Sequence, residues 1–223
     1  KAPRGHWRLL VLMSRDYGNH ADVLNPEAVR CFIDLTHEKY KRYVGEHFGS
    51  TFKGFFSDET RMLRATQHKF AEATIPWSKN LFERLQQRGL RDIDTCLASV
   101  FAGYDGPEVR PRRLHYWRQV TDLYSESFYY QLTDWAEDNG VVYTGDCFSE
   151  ETFVVVLGDY FKMMRAYQMP GLDSLGLPNP DVPFSFKAPK FPSSVAHQNE
   201  GPCAGRCLCE GPGLMGWGAP MEH

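Results

Sequence analysis

Short apolar runs alternate with longer amphipathic stretches along this chain. Five runs are apolar and brief: 7–14 (WRLLVLMS), 52–57 (FKGFFS), 141–145 (VVYTG), 171–175 (GLDSL) and 206–209 (RCLC). Apolar runs of about four to eight residues between turn formers read as buried strands. Between them, apolar residues recur at helical spacing. Val29, Phe32, Ile33, Tyr40, Tyr43, Val44 and Phe48 keep one apolar face. Asn25-Pro26-Glu27 opens that helix: Asn suits the N-cap, Pro the first helical position, and Glu the positive end of the dipole. Gly49 ends it. Further helices are expected over 76–88, closed by Gly89, and over 93–101.

The longest helix is expected over 112–139. Leu114, Trp117, Val120, Tyr124, Phe128, Leu132 and Trp135 form a stripe suited to core packing, and Gly140 stops it. Another helix is expected over 153–169, stopped by Pro170, and a short one over 191–199. Residues 60–76 and 176–189 read as long loops.

Strands alternating with helices predict an α/β fold with a parallel sheet and right-handed crossovers. A single domain over 1–223 is expected at this length. In such a sheet all C-terminal strand ends share one edge, and in a (β/α) barrel that edge carries the active site. The strand at 52–57 ends on Asp58 and Glu59. The same edge would receive Asp16, Asp146, Glu150, Asp173 and Glu210. Solvated loop acids would give the same spacing at 58–59.

Paired carboxylates suit glycoside hydrolysis, in which one carboxyl protonates the leaving oxygen and another attacks or activates water. Their environments must differ so that the two pKa values separate. Glu59 and Glu210 are the candidate pair. Asp58, Asp146 and Glu150 are candidates for binding sugar hydroxyls. Trp77, Phe148 and Trp217 are candidates for ring stacking, although each also suits packing. His197 is a candidate to bond a hydroxyl or orient a carboxylate. The same acids would suit calcium, a hard cation that takes oxygen ligands.

Composition narrows the field. The chain has 223 residues, 42% hydrophobic and 24% charged, and a formal charge of −3. That is ordinary for a globular chain. It lacks the basic footprint of a nucleic-acid binder, and no apolar run approaches the roughly 20 residues of a membrane span. No leader peptide is recognisable, so the compartment is undetermined. Cys203, Cys207 and Cys209 form a C-x3-C-x-C cluster without the C-x2-C pairs of a zinc site. His197 is the only nearby fourth ligand. Reduced thiols are expected for all six cysteines. P-loop, G-x-G-x-x-G, H-E-x-x-H and G-x-S-x-G motifs are absent.

An ordered set of short motifs carries a resemblance. It comprises Leu24-Asn-Pro-Glu-Ala-Val29, Leu35-Thr-His-Glu38, Gly54-Phe-Phe-Ser-Asp-Glu59 and Tyr143-Thr-Gly145. It continues with Pro170-Gly-Leu-Asp-Ser-Leu-Gly176, Ser193-Ser-Val-Ala-His197, and Glu210 with Gly216-Trp217-Gly218. The set resembles large bacterial glycoside hydrolases with a (β/α)8 catalytic domain, of the α-L-rhamnosidase (family 106) type. The resemblance implies a partial TIM-barrel, about strands three to seven, with Glu59 ending strand four and Glu210 ending strand seven. It implies a carbohydrate substrate, with Glu59 as general acid/base and Glu210 as nucleophile or base.

The chain departs from the family pattern at several positions. Thr60 stands where relatives have Pro, Asp146 where they have His, and Cys209 where they have Ser. Gly211-Pro212-Gly213 replaces an aromatic-Gly-Ala stretch. The resemblance also implies that the chain is the middle of a larger enzyme, with open edges at 7–14 and 206–209. A non-catalytic carbohydrate-binding remnant is the alternative expectation.

Overall fold

The computed structural model describes residues 4–6, 9–14, 20–62, 75–90, 92–101, 106–147, 158–173, 190–200 and 203–210; at 147, 173, 209 and 210 it describes the backbone alone.

Local chemistry sets the helix starts. In α1 (Pro26–Leu35), the Asn25 side chain accepts from the Glu27 N–H at 3.0 Å. In α3 (Lys79–Gln87), the Ser78 hydroxyl accepts from the Leu81 N–H at 3.0 Å, so the helix begins three residues after Pro76. These bonds occupy donors that a helix start otherwise leaves open. Gly49 and Gly140, with φ of +71° and +68°, take the left-handed backbone expected where helices end.

The single helix expected over 26–48 breaks at Thr36. It becomes α1, α2 (His37–Val44) and a 3-10 turn (Gly45–His47). The break lets α2 turn His37 into a nest of rings: Phe32, Phe55 and Trp135 lie with centroids 5.2, 4.6 and 5.1 Å away. Helix α4 (Ile93–Phe101) is as expected.

The long helix starts at α5 (Val109–Tyr124) and ends at α6 (Gln131–Asp138), with a π-helical segment, Ser125–Tyr130, between them. In an α-helix, residues five apart point about 140° from each other. The wider π turn instead brings the Tyr124 and Tyr129 rings to 4.9 Å.

Four parallel strands stand in the order β1 (Gly54–Thr60), β2 (Val142–Cys147), β3 (Met169–Asp173) and β4 (Leu208–Glu210). Their limits differ from expectation by about two residues, which matters at the strand ends. Phe52 only bridges to Phe48; β1 starts at Gly54, just after the Lys53 carbonyl accepts from the Val142 N–H at 2.9 Å. Asp58 and Glu59 therefore lie inside β1, and Asp146 inside β2. Pro170 was expected to stop a helix, yet it pairs opposite Gly145 in β3. Of the described residues 158–169 of that expected helix only α7 (Tyr160–Met164) is helical, and Met169 already belongs to β3. Helix α8 (Lys190–Gln198) leads to β4.

Residues 9–14 form no strand, in contrast to the expectation for 7–14. Leu9, Val11 and Met13 are 85%, 72% and 86% exposed. An apolar run becomes a strand only where a neighbour completes its ladder, and none of the four strands pairs with it.

One face of the sheet is covered by helices. Phe55 on β1 meets the rings of His37, Tyr40 and Trp135, while the next residue, Phe56, is 43% exposed. Tyr143 on β2 stacks on Tyr167 at 5.6 Å. Val29 and Ile33 of α1, Leu81 and Leu85 of α3, and Tyr116, Val120 and Leu132 of the long helix complete this core. The result is a mixed α/β arrangement around a small parallel sheet. Among the described residues the sheet is an open row and closes no barrel.

Candidate active site

The C-terminal ends of β1–β4 bring Asp58, Glu59, Asp146, Asp173 and Glu210 to one edge of the sheet. The strands run in register from Gly54↔Val142 to Ser57↔Gly145 and resume at Thr60↔Cys147. Two residues, Asp58 and Glu59, thus oppose one, Asp146. This is a β-bulge, a device that re-aims side chains at sheet rims.

The bulge has its own fastenings. Glu59 has φ +38°, the only positive φ outside glycine among the described residues. Such a backbone costs about 1–3 kcal/mol. The Glu59 N–H donates to Asp146 Oδ1 at 2.8 Å. An intramolecular hydrogen bond contributes about 0.5–1.5 kcal/mol, which offsets part of that strain. The Ser57 and Thr60 hydroxyls bond each other at 2.8 Å across the bulge. The Thr60 carbonyl accepts from the Tyr124 hydroxyl at 2.9 Å, tying the strand end to the helix where it turns π.

The Glu59 carboxylate is ion-paired with Arg61, Nη2 to Oε2 at 2.5 Å, and the two side chains are 24% and 29% exposed. Asp58 is exposed. Asp146 is fully buried. Below the edge, burial holds the Tyr143 hydroxyl well above its ordinary pKa, with a Ser57 hydrogen bond opposing. Burial also pushes the His37 imidazole down to about 4, against a smaller upward pull from Glu38.

A cleft of about 490 Å³ opens beside the bulge. Asp58, Glu59, Thr60 and Arg61 form its polar wall, and Val23, Val29, Phe32 and Phe128 its apolar wall. A site of this volume fits a small ligand. A polar wall with two carboxylates and one guanidinium can bond hydroxyls from both sides.

Glu210, on β4, the far strand of the row, pairs by backbone with Asp173 of β3. It shares the C-terminal edge with Glu59, three strands away. That is roughly 14 Å along a flat sheet, less if the sheet curves. Glu150, Phe148 and Trp217 lie outside the described residues.

His197 is not with the acids. It is exposed in the last turn of α8, near Gly205 in the loop entering β4, and its Nδ1 bonds the Ser193 carbonyl at 2.8 Å. Trp77 precedes α3 and packs near Phe82, with centroids 6.0 Å apart. Among the described residues, no three His, Cys, Asp or Glu side chains gather closely enough to hold a metal ion. Four cysteines, Cys31, Cys96, Cys203 and Cys207, are free thiols.

Sequence reading missed Arg61, which it placed in a loop, and missed that Phe32 and Phe128 line the cleft, although Phe128 is a core residue as expected. Arg61 sits two residues beyond Glu59. Glu59 sits in the bulge and Arg61 just past the end of β1, so strand periodicity could not have paired them; only the structure does.

No protein-family model matches the chain, and no curated protein matches it. Among solved structures, it is similar to the structure of a rhamnosidase from Novosphingobium sp. PP1Y, with a TM-score of 0.56 and 20% identity. The likeness covers 79% of this chain, which spans only 16% of that enzyme's length. At this identity the likeness is one of fold.

Proposed function

We propose that the chain is a single glycoside-hydrolase-type domain, part of a (β/α) barrel equivalent to about strands three to seven. The observation that carries this reading is the gathering of strand-end acids at one edge of a parallel sheet, beside a cleft with one polar and one apolar wall. The fold likeness to a rhamnosidase supports it. In this reading a carbohydrate enters over Asp58 and Glu59. Glu59 exchanges a proton with the glycosidic oxygen, and Glu210 attacks the sugar or activates water. Asp58, Glu150 and Trp217 hold the ring, and Asp146 lies buried against the backbone of Glu59. His197 would reach the sugar only from outside the described cleft. No cofactor is required; calcium bound at the same acids would reveal itself as a chelator-sensitive affinity.

Aryl glycosides, aryl rhamnosides first, test the reading. Hydrolysis by the chain, abolished by Glu59→Gln and by Glu210→Gln, is the expected result. Turnover unaffected by both substitutions would end it.

A second reading is carbohydrate binding without turnover. Its specific support is the Glu59–Arg61 ion pair, which occupies the carboxylate expected to exchange protons. It expects sugar affinity that survives both glutamine substitutions, with no hydrolysis by the parent.

A further inference from the structure

We propose that Asp146 is a positioning residue: it never touches the sugar, and it fixes the bulge that presents Glu59. The proposal rests on the reading of Glu59 as the reacting carboxylate.

The ladder between β1 and β2 loses its register where Asp58 and Glu59 oppose one residue. At a bulge the extra residue is left without a ladder partner. A side chain replaces that partner here, because Asp146 Oδ1 accepts from the Glu59 N–H at 2.8 Å. Asp146 is 0% exposed. A carboxyl is costly to bury unless it is hydrogen-bonded, and a sugar has no route to a fully buried side chain. The bond holds the one non-glycine residue at positive φ among those described.

Arg61 then fixes the other end of Glu59 by gripping Oε2 at 2.5 Å. Backbone and carboxylate are thus anchored separately, from β2 and from the residue just past the end of β1. A reacting group displaced by about 1 Å loses on the order of 100-fold in rate. Asp146 therefore acts on kcat through geometry and leaves KM nearly unchanged.

Asn and Ala at position 146 separate this role from its rivals, because Asn keeps an oxygen that can accept the Glu59 N–H and Ala does not. With an aryl rhamnoside as substrate, Asp146→Ala is expected to lower kcat by roughly 10- to 100-fold with KM changed less than about threefold. Asp146→Asn is expected to recover most of that loss. A rise in KM with unchanged kcat would overturn the proposal, because it would mean direct sugar contact. So would equal losses in the Asn and Ala variants.

A second measurement needs no turnover. In the NMR spectrum of the wild-type chain, the Glu59 amide is expected to exchange slowly with solvent, and to exchange fast in Asp146→Ala. Fast exchange in the wild type, or protection unchanged in Asp146→Ala, would overturn the proposal even if that variant folds poorly. If the wild-type chain hydrolyses nothing, or Glu59→Gln leaves turnover intact, the glycosidase reading fails. The amide measurement then still decides whether Asp146 holds the bulge.

Discussion

The carboxyl of Asp146 on β2 accepts a hydrogen bond from the backbone of Glu59 on β1, at 2.8 Å across 87 residues of sequence. The two acids play different parts: one is buried and faces the backbone, the other lines the cleft. Neither composition nor spacing distinguishes them, because both are acids at a strand end.

Gly145 sits where the register is still regular, opposite Ser57. A Cβ there would lie 2.7 Å from the Tyr167 hydroxyl and closer still to the Ser57 carbonyl. Gly145→Ala should destabilise the fold by about 3 kcal/mol through overpacking. Gly89→Ala meets no neighbour and carries only the strain of φ +87°, so it should cost about 1–2 kcal/mol. Urea midpoints at unchanged m-value check the ranking.

His37 predicts an acid-side instability. Its imidazole is lowered to about 4 in the fold, by burial first, against an ordinary value of 6.5. Between those values the unfolded chain binds the proton and the folded chain does not. This contribution to stability is therefore complete above about pH 6.5 and is lost as pH falls toward 4, at no more than about 1.4 kcal/mol per pH unit. His37→Phe should remove that slope in melts recorded across pH 4–7. A slope identical to wild type would contradict it.

The Tyr124 hydroxyl donates to the Thr60 carbonyl at 2.9 Å and accepts from Tyr129 at 3.3 Å. Tyr124→Phe keeps the ring and removes this link between the π segment and the end of β1. It should cost about 1–2 kcal/mol. Amide shifts at Thr60 and Arg61 should move, while those at Leu81 and Leu85, on α3, should not.

Arg84 joins α3 to the long helix. It bonds Gln119 Oε1 at 3.1 Å and forks onto Glu126 at 2.6 and 2.8 Å. The Glu126 hydrogen bond raises its pKa, so it stays charged. Arg84→Lys keeps the charge and loses the fork, and should cost about 1 kcal/mol. Because Glu126 is half exposed, that difference should shrink in high salt. Thermal melts at low and high salt measure it.

Leu9, Val11 and Met13 present apolar surface to solvent, a recognised liability for association. The isolated chain should self-associate, and Val11→Lys with Met13→Lys should reduce this in light scattering. A monodisperse parent at high concentration would contradict the expectation.

Local chemistry made much of the fold legible in the sequence. The Asn25 cap, the helix-ending Gly140, and the apolar stripe from Val120 to Trp135 depend on residues a few positions apart, so a linear reading finds them. The alternation of strands and helices likewise announced a parallel sheet, because such strands need long crossovers. The acids at the strand ends were visible for the same reason.

Tertiary structure alone decided what those acids do. Strand limits moved by about two residues because pairing begins where a neighbour arrives, as at Lys53 and Val142. The apolar run at 9–14 stayed unpaired because a strand exists only with its partner. The bulge that buries Asp146 and leaves Glu59 at the cleft beside Arg61 arises from a mismatch of one residue between two strands. Hydrophobic period and composition set which segments seek the core; relative register, a property of two segments together, sets which carboxylate meets solvent.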